Sequence, residues 1–461
     1  MSTSAATALR SINPVDGSLI QEWEAMDAAT VDTTIESASS AWLSWRKMSF
    51  AERADCFKRL AQIFRDREQE FASLMTREMG KPISQSLAES QKCGWVCDYF
   101  ADHAEELLAD VPLPSDDREA FATFQPIGVI YAIMPWNFPF WQVLRSAAPT
   151  MMAGNAFLLK HSPNVTGCAM AIESCFAACG FPEHLFRTLI IDLDLSPRVI
   201  EHPLVRGITL TGSERAGRIV GAQAGAAIKK SVLELGGSDP YVVLEDADLK
   251  EAADLCVSSR MLNNGQVCIS AKRFIVSDSI HQEFTEHVVS LMQEYDMRNP
   301  EDETCRLGPL AREDLRDHHH DQIVRSVEAG ATLLMGGTKP SKDGWWYPPT
   351  ILADVTPETP AFEEELFGPT AVIIKATDEA DALMLANDSR YGLGGAVFTR
   401  NLEHGRNLAR EQMNVGCCAV NGFVKSDPRL PFGGTGDSGY GRELGPFGIQ
   451  EFVNIKTVVV S

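Results

Sequence analysis

From Phe121 to the C-terminus, short runs of aliphatic and β-branched residues alternate with segments of helical periodicity. GVIYAIM, NAFLLK, RTLIID, GITLT and SVLEL form one series of strand-like runs, with helical stretches such as VTGCAMAIESCFAACG between them. YVVLE, KRFIVS, TAVIIKAT, GAVFTR and GCCAVNG form a second, separated by LKEAADLCVSSRML and IHQEFTEHVVSLMQEY. This rhythm predicts parallel strands joined by crossover helices, an α/β fold. The two series meet near Glu234 to Gly237, and a cleft between two such units is the expected site of chemistry. Residues 28–112 carry apolar residues at three-to-four spacing and read as helices, broken at Gly80, Lys81 and Pro82 and interrupted by DVPLPSDD. A further helix is expected to begin near PWNFP, directly after GVIYAIM. With 461 residues the chain exceeds one ordinary core, so two or three domains are expected.

Composition narrows the partners. A formal net charge of -22 repels phosphate backbones and argues against nucleic acid. It also means that an anionic substrate would need local cations to overcome the field. Eleven cysteines, an odd number without paired C-x-x-C spacing, fit free thiols in a reducing cytoplasm and no metal site. Cys175 and Cys179 read as one packed helix face, and Cys417 and Cys418 as strand packing. His318, His319 and His320 point apart on a helix and read as solvated. MSTSAATALRSINP lacks an apolar leader core, and no run approaches a membrane span.

One cysteine departs from the packing pattern. In NNGQVCISAKRF, Cys268 follows Asn263, Asn264, Gly265 and Gln266 rather than apolar residues. A nucleophilic thiol needs neighbouring dipoles or donors that lower its pKa, and amide-rich flanks could supply them. GTGDSG, from Gly434 to Gly439, fits G-x-G-x-x-G by letter. It has no leading strand and too little chain after it for a βαβ unit, so it reads as a tight turn. TLTGSERAG is the better anion site, with a strand ending at Thr211, a helix starting near Ser213, and free N–H groups between.

Six motifs stand in order: PWNFP, LTGSERAG, LELGGSDP, GQVC, EEELFGP and PFGG. Their order and spacing resemble the aldehyde dehydrogenase superfamily from near residue 11 to the end. KHSPNVTGCA, PWNFPFWQVLR and LAREDLRD resemble its bacterial succinate-semialdehyde dehydrogenase branch. The resemblance implies an aldehyde dehydrogenase-like fold: a Rossmann-type cofactor-binding domain in two parts, 1–112 and 128–234, and an α/β catalytic domain, 235–440. Strands in 113–127 and a C-terminal segment, 441–461, would serve oligomerisation, as a homodimer or homotetramer. Cys268 would attack the aldehyde carbon, with Asn137 and the Cys268 N–H holding the oxyanion. Glu234 would be the general base that hydrolyses the thioester, a residue that branches passing the acyl group to coenzyme A usually lack.

For the cofactor, NAD or NADP, the resemblance implies Trp136, Lys160, Ser162, Pro163, Gly212, Ser213, Gly217, Leu235, Glu365 and Phe367. NAD-preferring relatives often carry a glutamate at position 163; Pro163 leaves room for NADP, which Lys160 or His161 could help. For the substrate it implies Arg145, on the first helical turns at the cleft mouth with Asn137, together with Trp141 and Ser426. A second arginine found six residues before the nucleophile in some relatives is replaced by Leu262. The implied reaction is oxidation of succinate semialdehyde to succinate. Other short aliphatic aldehydes or semialdehydes are the alternative, and a catalytically silent oligomeric binding protein the reading from a different class.

Overall fold

The structure is a computed structural model that describes residues 8–461. Residues 1–7, half of the N-terminal stretch read as lacking a leader, lie outside the described residues. Four helices, Ala28–Trp45, Phe50–Asp66, Glu68–Met79 and Ile83–Leu107, follow an N-terminal hairpin. The first two starts are chemically marked: the Asp27 carboxylate accepts from Thr30 N–H at 2.8 Å, and Ser49 and Glu52 form a reciprocal capping box. Gly80 ends the third helix at φ 78°, where a Cβ would meet the Pro309 carbonyl at 2.8 Å.

These helices pack on a six-stranded sheet through one large apolar cluster. The sheet order is Gly439–Tyr440, Lys230–Glu234, Val205–Thr211, Val129–Met134, Ala156–His161 and Phe186–Thr188. Every pair is parallel except the first, so the GTGDSG turn closes a sheet edge, with Gly439 opposite Glu234. Of the expected RTLIID strand only its start is used. Pairing stops at Leu159 with Thr188, and the Ile190 carbonyl accepts from Met26 N–H instead.

The chain then enters a seven-stranded sheet at Pro240–Val243. Alternate residues along its strands, such as Tyr241 and Val243 against Val242, enter separate apolar clusters on the two faces. Its outer hairpin, Thr332–Met335 with Thr350–Ala353, is antiparallel. A third sheet pairs Glu119–Pro126 with Val453–Val460 across eight residues and adds Val111–Pro112. Among the described residues no helix is long and apolar enough to cross a membrane.

The helix expected near PWNFP is present, and two placements differ from expectation. The helix after PWNFP begins at Trp141, because Phe140 and Trp141 N–H groups are held by the Glu89 side chain, each at 2.9 Å. Asn137 therefore lies in a bend, not a helical turn. His319 is not solvated: it is buried against Tyr347, bonds Thr370 Oγ1 at 2.9 Å, and burial draws its pKa down to about 3.

Candidate active site

In the six-stranded sheet the chain order reverses between Val129–Met134 and Val205–Thr211. Connections leaving these strands diverge to opposite faces, which opens a crevice at their carboxyl ends. PWNFP follows the first strand and TGSERAG the second. A cleft of 530 Å³ lies there, lined by Trp136, Asn137, Gly212, Ser213, Leu235, Cys268, Glu365 and Phe367 among others. The Ser213 hydroxyl accepts from Ala216 N–H at 3.3 Å and starts the helix Glu214–Ala226. Other first-turn N–H groups have no acceptor within the helix, which suits an anion. Gly217 lies one turn in, where a Cβ would stand 2.5 Å from the Leu235 side chain. The bare glycine lets the helix approach the strand end.

Lys160, Ser162 and Pro163 stand at the end of the neighbouring strand, outside the cleft wall. His161 is held by backbone groups. It is buried, its Nε2–H donates to the Pro139 carbonyl at 2.8 Å, its Nδ1 accepts from Ser162 N–H at 3.0 Å, and burial lowers its pKa to about 4.

The polar residues before Cys268 staple its loop. Asn263, Asn264 and Gly265 have φ of 53°, 57° and 75° in succession, a left-handed turn that Asn and Gly tolerate best. Asn264 Nδ2 donates to the carbonyls of Gly80 and Pro309, each at 2.9 Å, and Gln266 Oε1 accepts from Ala311 N–H at 3.0 Å. Asn263 Nδ2 donates to the Asn137 carbonyl at 2.7 Å, and Asn137 Nδ2 donates to the Gln266 carbonyl at 3.0 Å. Lys272 completes the frame, its Nζ donating to the Cys268 carbonyl at 2.6 Å and pairing with Glu365 at 3.2 Å. Glu365 also accepts from Gly237 N–H at 3.1 Å, and Phe367 meets Trp136 edge to face.

The free thiol differs from expectation in its acidity. Burial pushes the Cys268 pKa up to about 12, against the pull of Arg145 and Lys272. The loop amides are spent on the backbone, so they position the sulfur without acidifying it.

Glu234 ends its strand behind Leu235 and Gly236, which line the cleft. It is buried, and neither carboxylate oxygen has a hydrogen-bond partner. Burial, and then the charge of Glu443, raise its pKa well above the usual carboxylate range, opposed by Arg145 and Arg442.

Arg145 is not at the cleft mouth. It is buried one turn into the helix Trp141–Met152, ion-paired through Nε with Glu443, and packed 4.7 Å over the Phe432 ring. It faces a second cavity of 110 Å³, which Trp141, Ser426, Leu262 and Cys268 also line. Trp141 Nε1–H donates to Ser426 Oγ at 3.2 Å. Glu443 escaped sequence reasoning because its partner is 298 positions away and no local pattern marks it. Lys272 could have been found as the one cation within four residues of the thiol. Arg145→Ala should lower unfolding free energy by roughly 3–5 kcal/mol in a denaturant titration, because it leaves Glu443 buried without its counter-charge. Among the described residues no three His, Cys, Asp or Glu side chains converge as a metal site.

The family model described as aldehyde dehydrogenase matches residues 1–458. The succinate semialdehyde dehydrogenase [NAD(P)+] of Escherichia coli K12 is 44% identical over 458 residues, covering 99% of each chain. That of Mycobacterium leprae, specified for NADP(+), is 41% identical over 456 residues, covering 98% of this chain and 100% of the relative. The crystal structure of succinic semialdehyde dehydrogenase from Streptococcus pyogenes with NADP+ superposes with a TM-score of 0.96 at 35% identity, covering 98% of this chain and 100% of that one. By sequence and by three-dimensional structure alike, this chain belongs to the aldehyde dehydrogenase family.

Proposed function

We propose that the protein oxidises succinate semialdehyde to succinate, with NAD or NADP as cofactor. The observation that carries this reading is the position of Cys268, which lies on the walls of both cavities. One cavity is large enough for much of a dinucleotide and starts at a helix N-terminus. The other is small and holds a buried arginine.

The dinucleotide would lie with its phosphates at Gly212 and Ser213, Lys160 toward the adenosine ribose, and Glu365 and Phe367 toward the nicotinamide end. When bound it supplies the hydride acceptor. Cys268 Sγ, once deprotonated, forms a bond to the aldehyde carbon, and the carbonyl π electrons move to oxygen. The resulting oxyanion is met by Asn137 Nδ2, whose second proton is not used by Gln266, and by the Cys268 N–H. Such a donor contributes about 10²- to 10³-fold. Collapse of the oxyanion, with hydride passing to that acceptor, would leave a thioester on Cys268. Glu234 then takes a proton from water as the oxygen attacks, and the thiolate leaves. Its raised pKa suits a base that must accept a proton near neutrality.

Pro163 stands at the position where NAD-preferring relatives often carry a glutamate, which supports use of both cofactors; complete failure to turn over with NADP would contradict it. The exposed apolar residues Ile455, Val459 and Val460 on an edge strand support assembly as a homodimer or homotetramer. Free thiols throughout support a cytoplasmic location.

Steady-state rates test the substrate. Butanal has the same chain length without the carboxylate, so kcat/KM for succinate semialdehyde should exceed that for butanal by 100-fold, about 2.7 kcal/mol. Equal values would remove the semialdehyde reading and leave a general aldehyde oxidiser.

A further inference from the structure

The anion clamp implied by Arg145 has an electrostatic gap. Its guanidinium is already paired with Glu443 inside the protein. The pair carries no net charge, and the chain as a whole carries -22. Leu262, where some relatives supply a second arginine, lines the 110 Å³ cavity with an apolar side chain. A substrate carboxylate entering there would meet a neutral pair in a repulsive field.

We infer that Lys92 supplies the missing charge, as a substrate-carboxylate ligand and specificity determinant of the cavity beside Cys268. This rests on the semialdehyde reading and deepens it. Lys92 comes from the helix Ile83–Leu107, an element unrelated in sequence to the motifs, and lines the same cavity as Arg145, Ser426 and Cys268. Its Nζ sits 4.0 Å from the centroid of the Trp141 ring. Trp141 in turn donates to Ser426 Oγ, which leaves the Ser426 proton free to point at an anion. Lysine, indole and hydroxyl thus form one contiguous wall.

The carboxylates that could neutralise Lys92 are committed elsewhere. Glu89 pairs with Lys81 and holds the N–H groups of Phe140 and Trp141. Asp427 pairs with Arg429 at 2.7 Å. Burial, with repulsion from Arg145, draws the Lys92 pKa down to about 8, the response of a covered ammonium short of counter-charge. A bound carboxylate would reverse that shift and gain a charge-assisted bond. Lys425, also at this cavity, is exposed, and water screens it.

The experiment measures kcat/KM for succinate semialdehyde and for butanal in the wild type, Lys92→Met, Lys92→Arg and Lys425→Met, with thermal melts of each. Lys92→Met should lose at least tenfold more with succinate semialdehyde than with butanal, through KM. Lys92→Arg should restore most of that loss, and Lys425→Met should move the ratio by under threefold. Equal losses on both aldehydes in Lys92→Met would overturn the inference even if the wild type prefers the semialdehyde. A wild type without that preference would overturn the underlying reading instead. Should Lys92→Met fail to fold, succinate binding by Lys92→Gln decides: an unchanged dissociation constant overturns the assignment, and a rise of tenfold or more supports it.

Discussion

Cys268→Ala is expected to abolish reduced-cofactor formation with every aldehyde, while dinucleotide binding, read by fluorescence titration, stays within about twofold of wild type. Alanine is smaller than cysteine and sits on a loop whose geometry does not depend on the sulfur. Asn263, Asn264, Gln266 and Lys272 hold that loop through backbone groups. The variant therefore removes the proposed nucleophile and little else. Nucleophile loss in enzymes of acyl chemistry costs on the order of 10⁶-fold in kcat, which places the residual rate below detection. Persistent turnover would show that the carbonyl is not attacked by this sulfur. Lost cofactor affinity would show that the loop had been mispositioned, so both readouts are required. The thiol should be slow to alkylate in the free enzyme, because burial raises its pKa to about 12. Alkylation should rise with pH.

What could be read from the chain beforehand follows the range of the interactions involved. Parallel strands such as GVIYAIM and YVVLE are buried on both faces, so their apolar runs are local and strong, and they appear where expected. The hairpins Leu9–Ile12 with Leu19–Trp23 and Thr332–Met335 with Thr350–Ala353 carry no clear strand signal in the sequence. LIQEW and TLLM carry weak or exposed patterns whose pairing is decided by their partner, not by themselves. The helix after PWNFP starts at Trp141 with its N-terminus held by Glu89, 51 positions upstream of Phe140. That is a tertiary cap, and no local signal announces it.

The site divides in the same way. Trp136, Asn137, Gly212, Ser213, Leu235, Cys268, Glu365 and Phe367 lie in short motifs and converge on one cleft. Lys160, Ser162, Pro163 and Gly217 stand outside that wall, and Glu234 behind it. Two charges that act on its titratable groups, Glu443 on Glu234 and Lys272 on Cys268, are single residues in unremarkable segments. Arg145 was expected to greet a substrate at the mouth. Instead its charge is balanced internally, because a buried guanidinium without a counter-ion would cost several kcal/mol. Charge balance is a property of the folded interior, and a linear chain displays only its total.

The second large effect belongs to Glu234. Glu234→Gln preserves shape and removes the ability to accept a proton, so thioester formation should continue while hydrolysis stalls. Mixing enzyme, cofactor and aldehyde should give a burst of about one reduced cofactor per site, then a steady rate lower by about 10²- to 10⁴-fold, the range for loss of a general base. In the wild type the hydrolytic step should accelerate as pH rises, because a glutamate acting as base works only when deprotonated. Its pKa lies above the ordinary carboxylate range, raised by burial and by Glu443. The limb is therefore shifted upward from where a solvated glutamate would place it, and Glu234→Gln should flatten it. Glu443→Gln removes the neighbouring negative charge and should move the limb to lower pH, a separate sign that the two carboxylates share one field. Hydroxylamine, which needs no base to attack a thioester, should restore turnover to Glu234→Gln but not to Cys268→Ala. A burst-free Glu234→Gln with no hydroxylamine rescue would place the glutamate's role before thioester formation, at the proton of the thiol.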